Sequence, residues 1–190
     1  YLLTGDRREQ KIFFLQGVGA NGKSTLVDFI GRLVGTYAIK LPAHVLMHNP
    51  IQAHPTELAQ LRGKRLAISS EIEDGQHWAE SRIKELTGDE TLTARFMRQD
   101  FFEFRQTQKH LVVGNHKPVL HNVDDAARRR FNIVPFNHKP KSPDRDLESK
   151  LRAEAPGILR WMIDGCLDWQ ENGLVRPKVV IEATQDYFDE

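Results

Sequence analysis

Residues 17–24 of this chain read GVGANGKS: a glycine, four further residues, and then the triplet Gly-Lys-Ser. Just before them, residues 11–15 (KIFFL) form an apolar run rich in aromatic and β-branched side chains, which predicts a buried strand. After them, apolar residues recur at helical spacing as far as Gly35, which predicts the helix end: Leu26, Val27, Ile30, Leu33 and Val34. The predicted order is therefore strand, glycine-rich loop and helix.

This order is the context in which a glycine-rich loop binds the phosphates of a nucleotide. Glycines let the backbone pass close to an anion, and consecutive N–H groups with the helix N-terminus supply partial positive charge. Lys23 would reach the β- and γ-phosphates, and the Ser24 hydroxyl would bind Mg²⁺. A glycine-rich turn can also be plain loop structure, but it rarely places Lys-Ser on the first helical turn after a strand. We therefore predict a nucleotide-binding loop formed by Gly17, Gly19, Asn21, Gly22, Lys23, Ser24 and Thr25.

The composition is that of an ordinary globular protein of one domain, with 190 residues and a net charge of only +1. This charge predicts no general attraction to nucleic acid, so any phosphate-backbone contact must be local. The single cysteine, Cys166, excludes an internal disulfide and a cysteine-based zinc site. No apolar run is long enough to span a bilayer and no signal-peptide pattern opens the chain, which predicts an intracellular protein. Because the first residue is Tyr1 rather than methionine, we expect an excised piece of a longer polypeptide.

A second apolar run, residues 65–73 (RLAISSEIE), ends in acidic residues. In phosphate-loop ATPases we expect a second strand to lie beside the first and to place a carboxylate next to the bound Mg²⁺. Glu71 is the candidate for this carboxylate, and Glu73 can share its role or orient a water. The alternative is a strand that simply emerges into solvent at two glutamates. Because the glycine loop precedes this strand, we favour the metal-binding interpretation.

Two further segments carry polar residues next to predicted strands. Residues 109–114 (KHLVVG) predict a buried strand, and Asn115 follows it directly. A polar residue in this place faces the ligand crevice of an open α/β sheet, so Asn115 can sense the γ-phosphate or hold the attacking water. Residues 124–130 (DDAARRR) predict a capped helix start that runs into three arginines before the strand 131–136. That arginine cluster can be a solvent-exposed face or an anion site, and composition does not decide between them.

Residues 92–96 and 101–104 are two β-prone runs around a polar turn, and they predict a hairpin. Arg95 and Arg98 lie at or near its tip with aromatic neighbours. This combination suits the gripping of a single nucleic-acid strand through its phosphates and stacked bases. The alternative is a solvated hairpin face, with phenylalanines that fill the core.

Beyond about residue 139 the chain turns polar and proline-rich, and helical patterns follow. Trp161 and Trp169 flank an apolar helix face, where we expect both tryptophans in the core and Cys166 as a small buried hydrophobe. These shifts divide the chain into a linker or helix end (1–10), a core (11–138) and a C-terminal helical segment (139–190). The histidines before the second strand match no common metal-ligand spacing, so we expect surface or hydrogen-bonded side chains at His44, His48 and His54.

The chain resembles superfamily 3 helicases, in particular the primase-helicases of phages, satellite phages, plasmids and poxviruses. The resemblance covers nearly all of the sequence and lies in motifs that follow the family's order: GVGANGKS, SSEIE, KELTGDETLTARF, HLVVGN, ARRRFNIVPF and GILRWMIDGCLDW. It implies a modified AAA+ fold, an open and mostly parallel α/β sheet flanked by helices, with a small C-terminal helical appendage. It also implies a hexameric ring that uses ATP to move along single-stranded DNA, an upstream primase domain, and a cytoplasmic location in a bacterium or a phage-infected cell.

The resemblance implies roles for individual residues at the nucleotide. Lys23 and Ser24 belong to the family's first motif and Glu71 to its second, with ATP and Mg²⁺ as the ligands. Asn115 matches the family's sensor. Other members often carry two adjacent acids after the second strand, where this chain has Ser70 before Glu71, so whether Glu71 acts on the metal alone stays open.

Roles away from the nucleotide follow from the same resemblance. Lys84, Arg95 and Arg98 fall in or beside the family's DNA-loop motif. The arginine finger that reaches the ATP of the neighbouring subunit falls in ARRRF, where Arg129 is favoured and Arg130 is next. The function implied is an ATP-dependent DNA helicase. A replication loader or scaffold of the AAA+ class is the main alternative, and a small kinase is a weaker one because no substrate lid follows Asn115.

Overall fold

The computed structural model describes residues 1–49, 54–121 and 124–189. Four segments predicted as strands, together with the short strand β2, which was not predicted, form a five-stranded sheet: β1 (Ile12–Gln16), β2 (Ala38–Lys40), β3 (Leu66–Ser69), β6 (Lys109–Gly114) and β7 (Phe131–Pro135). All neighbours pair in parallel, in the order β2-β3-β6-β1-β7. The remaining strands, β4 (Thr91–Ala94) and β5 (Phe102–Arg105), pair with each other as the predicted antiparallel hairpin.

Helices flank this sheet and continue the chain beyond it: α1 (Lys23–Val34), α2 (Pro55–Ala59), α3 (Glu80–Gly88), α4 (Asp125–Arg128), α5 (Leu147–Ala153), α6 (Ala155–Asn172) and α7 (Lys178–Asp189). The predicted fold class, an open parallel α/β sheet with a C-terminal helical segment, is confirmed. The predicted helix after the glycine loop is α1, and it ends at Gly35 as expected. None of the helices in the described ranges is long and apolar enough to cross a membrane.

The two faces of the sheet bury separate apolar clusters, because successive side chains of a strand point to opposite sides. Ile12 and Phe14 of β1 join the larger cluster, which includes residues of α3 and α7. Leu15, on the other face, packs with Val27 of α1. Burial of both faces is typical of parallel sheets. It holds α1, and with it the glycine loop, at the carboxyl end of β1.

Helix α7 closes one edge of the sheet. The backbone N–H of Ile133 in β7 donates to Thr184 Oγ1 at 3.0 Å, and the same hydroxyl donates to Val180 O at 2.6 Å. An edge strand otherwise presents unpaired backbone groups. The last helix therefore completes the sheet as well as following it in the chain.

Helix α6, in the C-terminal segment, differs from the prediction in the burial of one of its two tryptophans. Trp169 is buried, and its indole N–H donates to Glu9 Oε1 at 2.8 Å. Cys166 is also buried, as predicted. The core placement of Trp161 is wrong, since this side chain is 72% exposed. The two tryptophans of α6 therefore differ: Trp169 packs against the N-terminal segment, whereas Trp161 faces solvent. The N-terminal segment itself, residues 1–10, forms turns and contains no helix.

Candidate functional site

A cavity of 530 Å³ lies at the carboxyl ends of β1, β3 and β6. In open parallel α/β sheets this edge is where ligands bind. The cavity brings together three segments that are far apart in sequence: the glycine loop, Glu71 and Asn115. The predicted nucleotide contacts that line it are Gly19, Asn21, Gly22, Lys23, Ser24 and Thr25. The remaining predicted contact, Gly17, does not line the cavity.

The glycine loop is held by close backbone contacts. A Cβ atom at Gly17 would lie 2.3 Å from the carbonyl oxygen of Phe136, so only glycine fits there. Gly22 has a φ of 86°, a left-handed conformation that favours glycine. The amide of Asn21 donates to Phe136 O at 2.6 Å and ties the loop to the end of β7. Ala20, a non-glycine residue, has a φ of 63°, so the loop also carries backbone strain of the kind found at functional sites.

The Lys23 ammonium lies inside the loop. It donates to Gly17 O at 2.6 Å and to Asn21 Oδ1 at 2.8 Å, and burial lowers its pKa below the ordinary lysine value. No side chain caps the N-terminus of α1, where Gly22 is the capping residue. The first backbone N–H groups of this helix are thus left for an anion. The arrangement offers a phosphate the lysine, the helix terminus and the loop amides together.

The oxygen donors beside the loop would suit a magnesium ion bound together with a nucleotide. Ser24, on the first turn of α1, and Glu71, beyond β3, are exposed and line the same cavity. Mg²⁺ usually takes one or two protein ligands and completes its shell with phosphate oxygens and water. A hydroxyl and one carboxylate meet that need. The described residues contain no cluster of three or more histidine, cysteine or acidic side chains that could hold a metal by itself.

Glu71 reaches the cavity by a different route from the one predicted. Its strand does not lie beside β1, because β6 is inserted between β1 and β3. On this side of β1 the neighbouring strand is therefore β6, which is followed by Asn115 and not by Glu71. Parallel strands end at a common edge, so the carboxylate still lines the cavity from one strand further away. Glu71 has a φ of 66°, which marks a strained backbone, while Glu73 does not line the cavity.

The arginine segment separates into residues with different surroundings. Arg130 is buried; its Nε donates to Thr87 Oγ1 at 2.9 Å and its Nη1 to Ala126 O at 2.7 Å. Burial lowers the pKa of this guanidinium. Arg130 is thus committed to its own chain at the end of α3, which contradicts the expectation that it reaches a neighbouring subunit.

The two preceding arginines are exposed. Arg128 lies 3.8 Å from Asp189 and over the ring of Phe188. The side chain of Arg129 makes no hydrogen bond or ion pair with the residues that the structure describes. Neither arginine lines the cavity. Within the segment, Arg129 is the guanidinium available to a second molecule.

The hairpin tip is exposed, as predicted for Arg95 and Arg98. The Arg95 guanidinium lies 4.8 Å from the centre of the Phe101 ring, and both Phe101 and Met97 expose more than half of their surface. Arg98 has a φ of 61° at the turn. Lys84 is separate from this tip: it lies on α3 and forms an ion pair with Asp124, the residue that caps α4.

Sequence reasoning missed a charged pair in the cavity wall. Lys40, at the end of β2, and Asp28 on α1 both line the cavity, and their charged groups lie 3.2 Å apart. Asp28 could have been predicted to line the cavity, because it follows Ser24 by four residues and such residues share one helix face.

The histidines before β3 form local contacts. His44 Nε2 lies 2.9 Å from Glu57 Oε1, and His54 Nδ1 accepts from the Thr56 N–H as a cap of α2. The hydrogen-bonded alternative is thus correct for these two side chains, and His48 is exposed.

Viral proteins resemble this chain in sequence. It is 26% identical to "Putative helicase L207/L206" of Acanthamoeba polyphaga mimivirus, over 97% of this chain and 22% of the relative. It is 27% identical to "Putative helicase 022R" of Frog virus 3, over 98% of this chain and 22% of the relative. A protein of African swine fever virus named as a putative primase is 26% identical over 75% of this chain and 16% of the relative. The chain therefore spans between about a sixth and about a fifth of the length of these relatives.

The chain is also similar to a solved structure in its fold and to a family of proteins in its sequence. The fold is similar to that of the apo C-terminal region of NrS-1, with a TM-score of 0.60 at 17% identity, over 80% of this chain and 35% of that one. This likeness concerns the fold alone. In sequence, residues 15–130 match one family, so this chain belongs to the family of unknown function DUF5906.

Proposed function

We propose that this chain is the ATPase motor of a replicative DNA helicase. The observation that carries the proposal is the single cavity that gathers the glycine loop, Glu71 and Asn115 at one edge of a parallel sheet. The relatives named as helicases and as a primase support a role in viral-type DNA replication. The resemblance of the sequence motifs to those of superfamily 3 helicases supports ATP as the nucleotide.

In this proposal Lys23 leaves the loop carbonyls that it contacts and binds the β- and γ-phosphates. Ser24 and Glu71 hold Mg²⁺, which would neutralise charge on the phosphates when bound. Asn115, next to the end of β1, orients the attacking water. Arg129, which has no partner within the described part of its own chain, serves the neighbouring subunit's ATP as the arginine finger.

The DNA contacts in this proposal come from the hairpin tip. Arg95 and Arg98 bind phosphates of single-stranded DNA, while the exposed rings next to them stack on bases. Lys84 remains a proposed DNA contact only if its ion pair with Asp124 opens. A homo-oligomeric ring, a hexamer by family resemblance, would place these hairpins around one strand. The likeness to a named primase supports fusion to an upstream primase domain.

The competing proposal is an ATPase that loads or scaffolds other replication proteins. The cavity residues account for binding and hydrolysis of ATP, whereas movement along DNA rests on the hairpin tip alone. Two measurements on the same preparation separate the proposals: ATP turnover with and without single-stranded DNA, and displacement of a labelled strand from a forked duplex. The motor predicts DNA-stimulated turnover together with displacement. Stimulated turnover without displacement would favour the loader, and absence of ATP binding in calorimetry would overturn both.

A further inference from the structure

The two loops that carry Glu71 and Asn115 are hydrogen-bonded to each other through residues that do not line the cavity. The N–H of Trp78 donates to Val119 O at 3.0 Å, and the N–H of Val119 donates to Gln76 O at 2.9 Å. The rings of His77 and His121 stack in parallel with centroids 4.3 Å apart. The segment after Glu71 (residues 74–78) and the segment after Asn115 (residues 115–121) thus form one joined unit.

One side chain near the C-terminal end of the sequence, Tyr187, hydrogen-bonds to both segments of this unit. Tyr187 of α7 is buried, and its hydroxyl accepts from Trp78 Nε1 at 2.7 Å while it donates to Pro118 O. One oxygen therefore bonds to both loops. Neither bond can be replaced by water without opening the core around Trp78, which is 2% exposed.

The same side chain contacts the strand that leads into the glycine loop. The rings of Tyr187 and Trp78 both pack edge-on against Phe14 of β1. Phe14 also lies against Gly114, where a Cβ atom would approach its ring to 2.8 Å. The aromatic floor formed by Phe14, Trp78 and Tyr187 underlies all three segments of the cavity. Within this floor, the Tyr187 hydroxyl makes directional hydrogen bonds, which fix the relative orientation of the two loops more narrowly than ring packing does.

We propose that Tyr187 is a positioning residue that sets the distance between Asn115 and Glu71. The inference rests on the proposed ATPase function, and it adds a residue that no nucleotide-binding motif contains. Tyr187 does not line the cavity. It acts through Trp78 and Pro118. The adjacent residue Phe188 lies beneath the Arg128 guanidinium, so α7 also contacts the segment that presents Arg129.

The test is Tyr187→Phe, which keeps the ring packing and removes the hydroxyl. Tyr37→Phe is the matched control, because the Tyr37 hydroxyl makes no hydrogen bond within the described residues. We expect Tyr187→Phe to lower kcat for ATP by about tenfold with the KM for ATP changed less than about twofold, since orientation and not binding is lost. The control is expected to leave both constants unchanged.

Hydrogen exchange measures the proposed link without any turnover. Backbone amides of residues 74–78 and 115–121 are expected to exchange about tenfold faster in Tyr187→Phe, while those of α1 stay unchanged. Unaltered exchange in both loops would overturn the positioning role, as would an equal rise throughout the chain, which indicates general destabilisation. If the unmodified chain hydrolyses no ATP, the proposed function fails, and the exchange result still decides the role of Tyr187.

Discussion

The glycine loop and the hairpin tip carry the two halves of the proposed activity, and they are built in opposite ways. The loop is tightly fixed: Gly17 has no room for a Cβ atom beside the carbonyl oxygen of Phe136, Asn21 donates to the same carbonyl, and Lys23 is buried. At the hairpin tip, Arg95 and Arg98 are exposed and are held by few neighbours. A preformed loop binds a small anion with little reordering, whereas an exposed tip binds through charge and adapts to its ligand.

Loss of the loop cation is expected to have the largest effect. Lys23→Ala removes the buried ammonium that we assign to the phosphates, so ATP turnover should fall below detection while the fold is kept. Steady-state phosphate release and circular dichroism measure the two quantities. Lys139→Ala, which removes an exposed lysine beyond β7, is the control. Turnover retained in Lys23→Ala would break the assignment of the loop.

The two neighbouring arginines are expected to separate activity from stability. Arg129→Ala should lower turnover by about 10³-fold and leave the melting temperature unchanged, because this side chain has no hydrogen-bond or ion-pair partner among the described residues of its own chain. Arg130→Ala should instead lower the free energy of unfolding by about 2–3 kcal/mol, since its bonds to Thr87 and Ala126 lie in the interior.

Mixing gives a further measurement of the finger in trans. Subunits with Arg129→Ala and subunits with Lys23→Ala should together regain part of the turnover that each lacks, because one supplies an intact loop and the other an intact finger. Failure to regain any activity at every mixing ratio would count against a finger shared between subunits.

Two glycines of the loop offer a comparison within the site. Gly17→Ala forces a Cβ atom against Phe136 O and should destabilise the fold by about 1–3 kcal/mol. Gly19→Ala meets no atom within 4 Å and should leave the melting temperature nearly unchanged. Thermal unfolding of both variants tests whether the loop is as tightly packed as described. Equal melting temperatures would contradict that description.

The hairpin tip is expected to show the smallest change, visible chiefly in its salt dependence. Arg98→Ala should weaken binding to single-stranded DNA and reduce the slope of log K against log salt by about 0.7 for one lost phosphate contact. Fluorescence anisotropy over a salt series measures the slope. Arg105→Ala, an exposed arginine at the far end of β5, is the control. A slope unaltered by Arg98→Ala would support the alternative of a solvated face.

The glycine loop, the strands other than the three-residue β2, and the hairpin tip with its arginines could be predicted from the sequence because each depends on neighbours in the chain. Glycine spacing places the loop between β1 and α1, and apolar alternation or repetition marks the strands and helices. Glu71 and Asn115 were predicted as site residues for the same reason, since both directly follow apolar runs. The sequence pattern gave no comparable indication for residues such as Arg130 and Tyr187, because their hydrogen-bond partners lie far away in the chain.

The sequence by itself determined the local elements: the strand, loop and helix around Lys23, the hairpin, and the polar ends of β3 and β6. Only the tertiary structure decided that β6 lies between β1 and β3, that Arg130 is buried while Arg129 is exposed, and that Tyr187 bonds to both loops below the cavity. The physical reason is that periodicity and glycine spacing act over a few residues. Strand order and burial depend instead on which distant surfaces pack together, and three adjacent arginines look alike until that packing is formed.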